Sequence, residues 1–336
     1  MLRLFSQLLV SIPRLCISGV AVIVTAQLLP QSYSQAEATD ENLIHLRYAP
    51  HWIPQSQFAG FYLAKDLGFY EEEGLDVTIL RGGPENPATA RIEDGNADAA
   101  TLFLSQAIPL RAKGVPLVLV AQLLQESSLL LVSKKETGIK DPSDLNGKKV
   151  TVWPDFRAQP EALFEKFNVD PEILQQGSSV GLLQWGGADA VCAMRYNEYV
   201  RLYLMGFEPE ELVVIEFESH EVGFPEDGIY FREDFLEKHP EASDRFVRAS
   251  LRGWREAFAN PEAAVDAVMK RITAAGLSSN RAHQSLMLEA LRPVYSAALD
   301  SEAGTLLPKS GYEQVARSLL ETGLVDQIPE WEDFHP

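Results

Sequence analysis

From residue 43 onward the chain alternates between two hydrophobic periods. Positions 43–48 alternate apolar and polar as a half-buried strand does, 58–69 carry helical spacing up to the Glu71-Glu72-Glu73-Gly74 stop, and 75–80 return to strand. A helix over 87–94, a strand over 97–103, a helix over 105–113 closed by Gly114, and apolar runs over 115–123 and 129–133 follow. The pattern then restarts, with a helix entry at 142–145, a strand over 148–153, a helix from Pro160 and a short element capped by 170–172. A strand over 188–194 runs into a helix over 195–204, and another strand spans 212–217. Beyond 228–231 the spacing is helical over 233–239, 242–259, 261–275, 279–291 and 311–323.

Strand–helix–strand order of this kind implies mainly parallel sheets covered by helices. The fold class expected is α/β: two lobes with a ligand cleft, two crossings near 130–134 and 226–231, and a helical C-terminal tail. Lobe 1 takes 43–131 and 230–336, with the tail wrapped back on it, and lobe 2 takes 132–229. Ligands of open α/β sheets sit at the carboxyl ends of strands, so a cleft between two such lobes is the natural site.

Residues 1–36 differ from the rest. Arg3 and Arg14 are their only charges, an apolar run spans 15–29, and small residues close the segment. This is the grammar of a secretory signal peptide, cleaved near Ala36 or Ala38, with 37–42 as linker. An uncleaved anchor is the competing reading, although the run is shorter than the roughly 20 apolar residues a span needs. An exported, periplasmic protein is expected. Cys16 falls in the leader, which leaves Cys192 alone and no disulfide framework or multi-cysteine metal site within one chain. Cys192 sits in an apolar strand run, the place of a small buried hydrophobe. Against 29 basic residues stand 48 acidic ones, a net charge of −19, which disfavours nucleic acid and anionic lipid as partners.

Catalytic motifs are missing: no Gly-x-Ser-x-Gly, no His-Glu-x-x-His and no Gly-Lys-Ser/Thr phosphate loop occurs, and the six histidines lack metal-ligand spacing. A specific resemblance lies elsewhere. Trp52-Ile53-Pro54, Phe58-Ala59-Gly60-Phe61-Tyr62 and Gly74-Leu75-Asp76-Val77 are followed in order by Gly95-Asn96-Ala97-Asp98-Ala99, Gly114-Val115-Pro116, Asp144-Leu145-Asn146-Gly147-Lys148 and Tyr196-Asn197-Glu198-Tyr199. Over about 43–260 this set resembles the thiamine-pyrimidine-precursor family, which holds periplasmic binding proteins of ABC importers and eukaryotic thiamine pyrimidine synthases. The resemblance implies a type II periplasmic-binding-protein fold, a small heteroaromatic ligand, an ABC permease as partner, and a monomer without cofactor. The synthases carry a histidine where alignment of Trp52 and Pro54 puts Phe58, and a cysteine cluster where this chain reads Glu221-Val222-Gly223-Phe224-Pro225. The reagents of the synthase reading are therefore absent. A synthase-like enzyme and a ligand sensor of the same fold remain the alternatives.

Candidate ligand-binding residues follow from strand ends and from the resemblance. Trp52 can stack on a heteroaromatic ring, contributing about 0.5–1.5 kcal/mol beyond burial, or cap the sheet as a core residue. Phe58 is a cleft candidate, whereas Phe61 and Tyr62 share a helical core face with it. Tyr196 offers a second aromatic wall. Asn197 and Glu198 offer the donors and acceptors that read an aminopyrimidine edge, or else form a solvated helix start. Trp153 ends a strand at the mouth of lobe 2. Ser105, with Gln106, begins a helix whose free N–H groups suit a polar tail or need only an N-cap. Gln125 and Ser127 end another first-lobe strand, and His51 lies beside Trp52. Formylaminopyrimidine and hydroxymethylpyrimidine fit the resemblance. Phe58 in place of a histidine adds a larger, more apolar ring such as a flavin.

Overall fold

The computed structural model describes residues 43–335, so the expected leader and linker lie outside the described residues. Strands β1 (Ile44–Ala49), β2 (Leu75–Ile79), β3 (Ala99–Phe103), β4 (Leu117–Gln122) and β10 (Asp227–Arg232) build one sheet, ordered β2-β1-β3-β10-β4. Strands β5 (Leu129–Lys134), β6 (Lys149–Val152), β7 (Glu172–Gln175), β8 (Ala190–Met194) and β9 (Leu212–Glu216) build the other, ordered β7-β6-β8-β5-β9. Side-chain alternation explains β1, where Leu46 and Tyr48 are buried while His45 and Arg47 face water. β3 and β8 are buried along their whole length, as strands covered on both faces are. The result is the two-lobed α/β architecture expected.

The sheets are mixed rather than mainly parallel. β2, β1 and β3 are parallel, as are β7, β6 and β8, but β10 runs antiparallel between β3 and β4 and β5 antiparallel between β8 and β9. Each strand delivered by a crossing thus enters the middle of a sheet. The expected crossings at 130–134 and 226–231 are these two strands, and lobe boundaries at 131/132 and 229/230 cut through them. The chain instead crosses over 123–128 and 217–226. Leu129-Leu130-Leu131-Val132 and Ile229-Tyr230-Phe231 are too apolar to lie on an exposed hinge, and each run is buried throughout.

Glu226, on the second crossing, ties the two connections together. Its Oε1 accepts the Ser128 N–H at 2.5 Å and the Ser127 hydroxyl at 3.2 Å. Burial, reinforced by the adjacent Asp227, raises its pKa well above the usual carboxylate value.

The helical tail packs on lobe 1. In the Ala242–Ala259 helix, Phe246, Ala249, Ser250, Gly253, Trp254 and Ala257 repeat every three to four residues and are buried, the stripe that a core-facing helix needs. It lies against the Ala59–Asp66 helix through a glycine-to-glycine approach. A Cβ on Gly253 would stand 2.1 Å from the Gly60 carbonyl oxygen, and one on Gly60 would stand 2.3 Å from the Trp254 indole. The tail also reaches lobe 2, where the Arg281–Leu291 helix touches the Glu198–Leu204 helix and the Lys309–Glu321 helix touches the Ala158–Lys166 helix.

Alanine at Gly60 or Gly253 overpacks this crossing and is expected to cost about 1–3 kcal/mol. Chemical denaturation of the two variants checks it, and an unchanged midpoint for either would show that the helices can move apart freely.

Candidate ligand-binding site

The carboxyl ends of β1 and β3 face those of β6 and β8 across the cleft, where open α/β sheets hold ligands. From lobe 1 the loop after β1 supplies His51, Trp52, Gln55 and Gln57, and β3 ends in Phe103. From lobe 2 come Trp153 and Phe156 after β6, Leu129 at the start of β5, and Met194, Tyr196, Asn197 and Glu198 at the end of β8. The loop after β1 is pinned from behind by the tail: Ser56 N–H donates to Gln284 Oε1 at 2.7 Å and Ser56 Oγ donates to the Gln284 carbonyl at 2.7 Å. The helix expected over 195–204 begins only at Glu198, and residues 195–197 form a turn that takes Tyr196 and Asn197 into the cleft.

The walls are aromatic. Trp52 meets Phe156 at 5.7 Å and Trp153 at 6.5 Å between ring centroids, both edge-on, and Phe156 meets Phe103 at 4.9 Å. Trp153 is oriented by its indole N–H, which donates to the Gly177 carbonyl at 2.8 Å. The enclosed space is about 30 Å3, room for about two water molecules. A heteroaromatic ring enters only if the walls part.

A chain of side-chain amides crosses this space. Asn197 Nδ2 donates to Glu198 Oε1 at 2.8 Å and to Gln55 Oε1 at 3.2 Å, Gln55 Nε2 donates to Gln57 Oε1 at 2.8 Å, and Gln57 Nε2 donates to the Asp227 carboxyl at 3.1 and 3.2 Å. Every member is buried. Buried carboxyls thus stand at both ends, and the Asn197–Gln55 bond joins the lobes. His51 Nε2 faces Gln57 Nε2 at 3.1 Å. With that nitrogen accepting, the ring proton sits on Nδ1 towards Thr101, and burial lowers the His51 pKa to about 3. His51 is therefore neutral, and its 3.6 Å approach to Asp227 is no ion pair.

Burial pushes Glu198 up to about 7, opposed by the Met194 N–H that donates to it at 3.0 Å. It pushes Asp227 up to about 7 as well, opposed by the Gln57 amide. Two polar atoms in the site lack partners: the Tyr196 hydroxyl and Asn197 Oδ1, both buried. A ligand group that supplies them with a donor or acceptor removes a desolvation penalty of about 1–3 kcal/mol each.

Trp52, Trp153, Tyr196, Asn197 and Glu198, all expected from the sequence, meet in this cavity. Three expected residues do not. Phe58 is fully buried in the core, against His51 at 5.3 Å and Tyr62 at 6.3 Å, on the same helical face as its neighbours. Ser105 opens on a separate surface depression beside Pro109 and Lys113, and its side chain caps nothing. Gln125 donates to the Gly304 and Leu306 carbonyls at 2.8 and 3.2 Å, fastening the tail to the first crossing. Ser127 serves the hinge through Glu226, and Cys192 is buried within β8. The sequence reading missed Gln55, Gln57, Phe103 and Phe156. Polar Gln55 and Gln57 directly after a strand-end tryptophan were the available signal.

Both raised carboxyls bind their protons more tightly in the folded chain than in the unfolded one. Their stabilisation is complete below about pH 4 and is lost as pH rises towards 7. The melting temperature is therefore expected to fall between pH 5 and pH 8, and Asp227→Asn, neutral at both, to flatten the slope. Thermal melts across this range decide it, and parallel slopes for variant and parent would contradict it.

The riboflavin-binding protein RibY of Chloroflexus aurantiacus is 28% identical over 76% of this chain and 74% of its own length. A formylaminopyrimidine-binding protein of Halalkalibacterium halodurans is 26% identical over 74% of this chain and 77% of its own. The 4-amino-5-hydroxymethyl-2-methylpyrimidine phosphate synthase of Schizosaccharomyces pombe is 30% identical, but over 38% of this chain and 37% of its own. Among solved structures, the periplasmic aliphatic sulphonate binding protein SsuA of Escherichia coli superposes with a TM-score of 0.63 at 15% identity, over 85% of this chain and 94% of that one. The pattern of the NMT1/THI5-like family matches residues 55–264, and the chain belongs to that family.

Proposed function

We propose that the chain is the exported solute-binding component of an ABC importer, holding a heteroaromatic vitamin compound between its lobes and handing it to the permease. The observation that carries this reading is an aromatic-walled cavity at facing strand ends, with unpartnered polar atoms on one edge and a lobe-to-lobe hydrogen bond across it. The ring lies between Trp52 and the aromatic groups of lobe 2, Trp153 and Tyr196. Its N–H edge meets Asn197 Oδ1 and the Glu198 carboxyl, both acceptors. Ligands that donate through ring or exocyclic N–H groups fit, which describes both aminopyrimidines and flavins. Opening admits the ring, and closure remakes the amide chain around it, so ligand binding favours the closed state that the permease reads.

Two relatives matched over about three quarters of the chain, at 28% and 26% identity, are binding proteins. A synthase of Aspergillus parasiticus is matched over 70% of it at 24% identity, so the site's residues rather than coverage separate the two readings. Phe58 in the core and a cysteine-free 221–225 segment supply neither a sacrificial imidazole nor thiolate ligands. Transport without chemistry is the simpler use of such a site, acting as a monomer.

Calorimetry with riboflavin and with 4-amino-5-hydroxymethyl-2-methylpyrimidine tests the reading, with micromolar or tighter binding of one of them expected. Glu198→Gln is expected to weaken that binding by roughly 1–3 kcal/mol while leaving the fold intact by circular dichroism. Equal affinity in variant and parent would remove Glu198 from the site. Iron retained after aerobic purification, with turnover of a pyrimidine precursor, would move the function to the synthase class.

A further inference from the structure

The aromatic cavity occupies the ends of β1, β3, β6 and β8, which leaves one edge strand of each sheet, β2 and β7, unused beside them. Beside those two ends lies a further space. A second pocket of about 190 Å3 is lined by Ile53 from the loop after β1, by the 81–86 loop after β2, by Ser178 after β7, and by Leu277 of the tail. It adjoins the aromatic cavity through the chain itself. Ile53 follows Trp52, and Ser178 follows Gly177, whose carbonyl takes the Trp153 indole N–H. The Trp52 segment therefore borders both spaces, and Ser178 sits beside the residue that orients the Trp153 indole.

The 81–86 loop is set rigidly against the Trp52 segment. A Cβ on Gly82 would stand 2.1 Å from the Pro50 carbonyl oxygen, and Gly83 holds φ at +119°, which side chains rarely adopt. Asn86 N–H closes the turn onto the Gly83 carbonyl at 2.8 Å. The polar groups on this wall are Arg81, Glu85, Asn86 and Ser178. Arg81 has no ion-pair partner among the described residues and sits on the same loop as an acid, so donors and acceptors alternate with no dominant charge. Ile53 and Leu277 add two apolar surfaces. A phosphate would meet Glu85 as well as Arg81. A neutral chain of hydroxyl groups, each both donor and acceptor, suits the mixture.

We propose that this outer compartment binds a hydroxyl-rich, uncharged chain attached to the ring that the aromatic cavity holds, and so selects among ligands sharing that ring. The proposal rests on the reading of the aromatic cavity given above. It makes Arg81 and Ser178 specificity-determining residues.

Titration of the whole mature protein with riboflavin and with lumiflavin, which has the same ring system without the ribityl chain, tests it by calorimetry or flavin fluorescence. The parent is expected to prefer riboflavin by about tenfold, the yield of one to two net hydrogen bonds. The Arg81→Ala, Ser178→Leu double variant is expected to bring the two ligands within twofold, with lumiflavin affinity unchanged. Equal binding of both flavins by the parent, or a preference that survives in the variant, overturns the proposal. Binding of 4-amino-5-hydroxymethyl-2-methylpyrimidine with neither flavin bound also overturns it, while leaving the aromatic cavity as assigned. Failure of all three ligands overturns both.

Discussion

The amide chain from Glu198 through Asn197, Gln55 and Gln57 to Asp227 is the constraint around which the molecule is arranged. A primary amide buried away from water must satisfy donors and acceptor together, and a half-satisfied chain is worse than an apolar wall. Here the carboxyls at the two ends accept and the amides between them point one way. That order survives only if the two strand-end loops are held at a fixed separation. Ser56, bonded to Gln284, holds one end from the tail, and the Met194 N–H holds the other through Glu198. Loop, tail and lobe 2 are therefore coupled through a few hydrogen bonds in a low-dielectric space. Asn197 spends its side-chain amide hydrogens on Gln55 and Glu198 and keeps Oδ1 unpartnered, which in the function proposed above makes the same residue the latch and the ligand reader.

The hinge obeys a similar logic. Two crossings that wandered independently would let the lobes twist as well as open. Glu226 joins them through Ser127 and Ser128, and backbone bonds from Leu123 and Leu124 to the Asp227 carbonyl, at 2.8 and 3.2 Å, bind them further. The tail adds Gln125 to Gly304 and Gln314 to the carbonyls of Glu221 and Gly223. What began as a helical appendage on lobe 1 thus also sets the play of the hinge.

Much of the fold was legible because burial periods are local. The alternation of β1, the fully apolar β8 and the amphipathic Ala242–Ala259 stripe each declare themselves within a few turns of chain. The site was legible where flat or multifunctional side chains follow a strand end, as with Trp52, Trp153 and Tyr196-Asn197-Glu198. It was misread where a residue's partner lies far along the sequence. Gln125 looks like a ligand group until the Gly304 carbonyl, 179 positions away, takes its amide. Phe58 was placed by alignment to a histidine, yet its own helical spacing with Phe61 and Tyr62 already favoured the core. Gln55 and Gln57 carry no periodic signal, and their role exists only once Asn197 and Asp227 stand opposite them. The crossings were misplaced because turn residues near a strand end look alike on either side of it.

The order of the first sheet has one more consequence. β1 and the helical tail belong to the same lobe, while lobe 2 is threaded between β4 and β10 as one long excursion. A pull applied at the two flanks of the described chain enters through β1 and the tail, and so falls first on lobe 1. Lobe 2 meets that line of force only through the two crossings and its contacts with the tail.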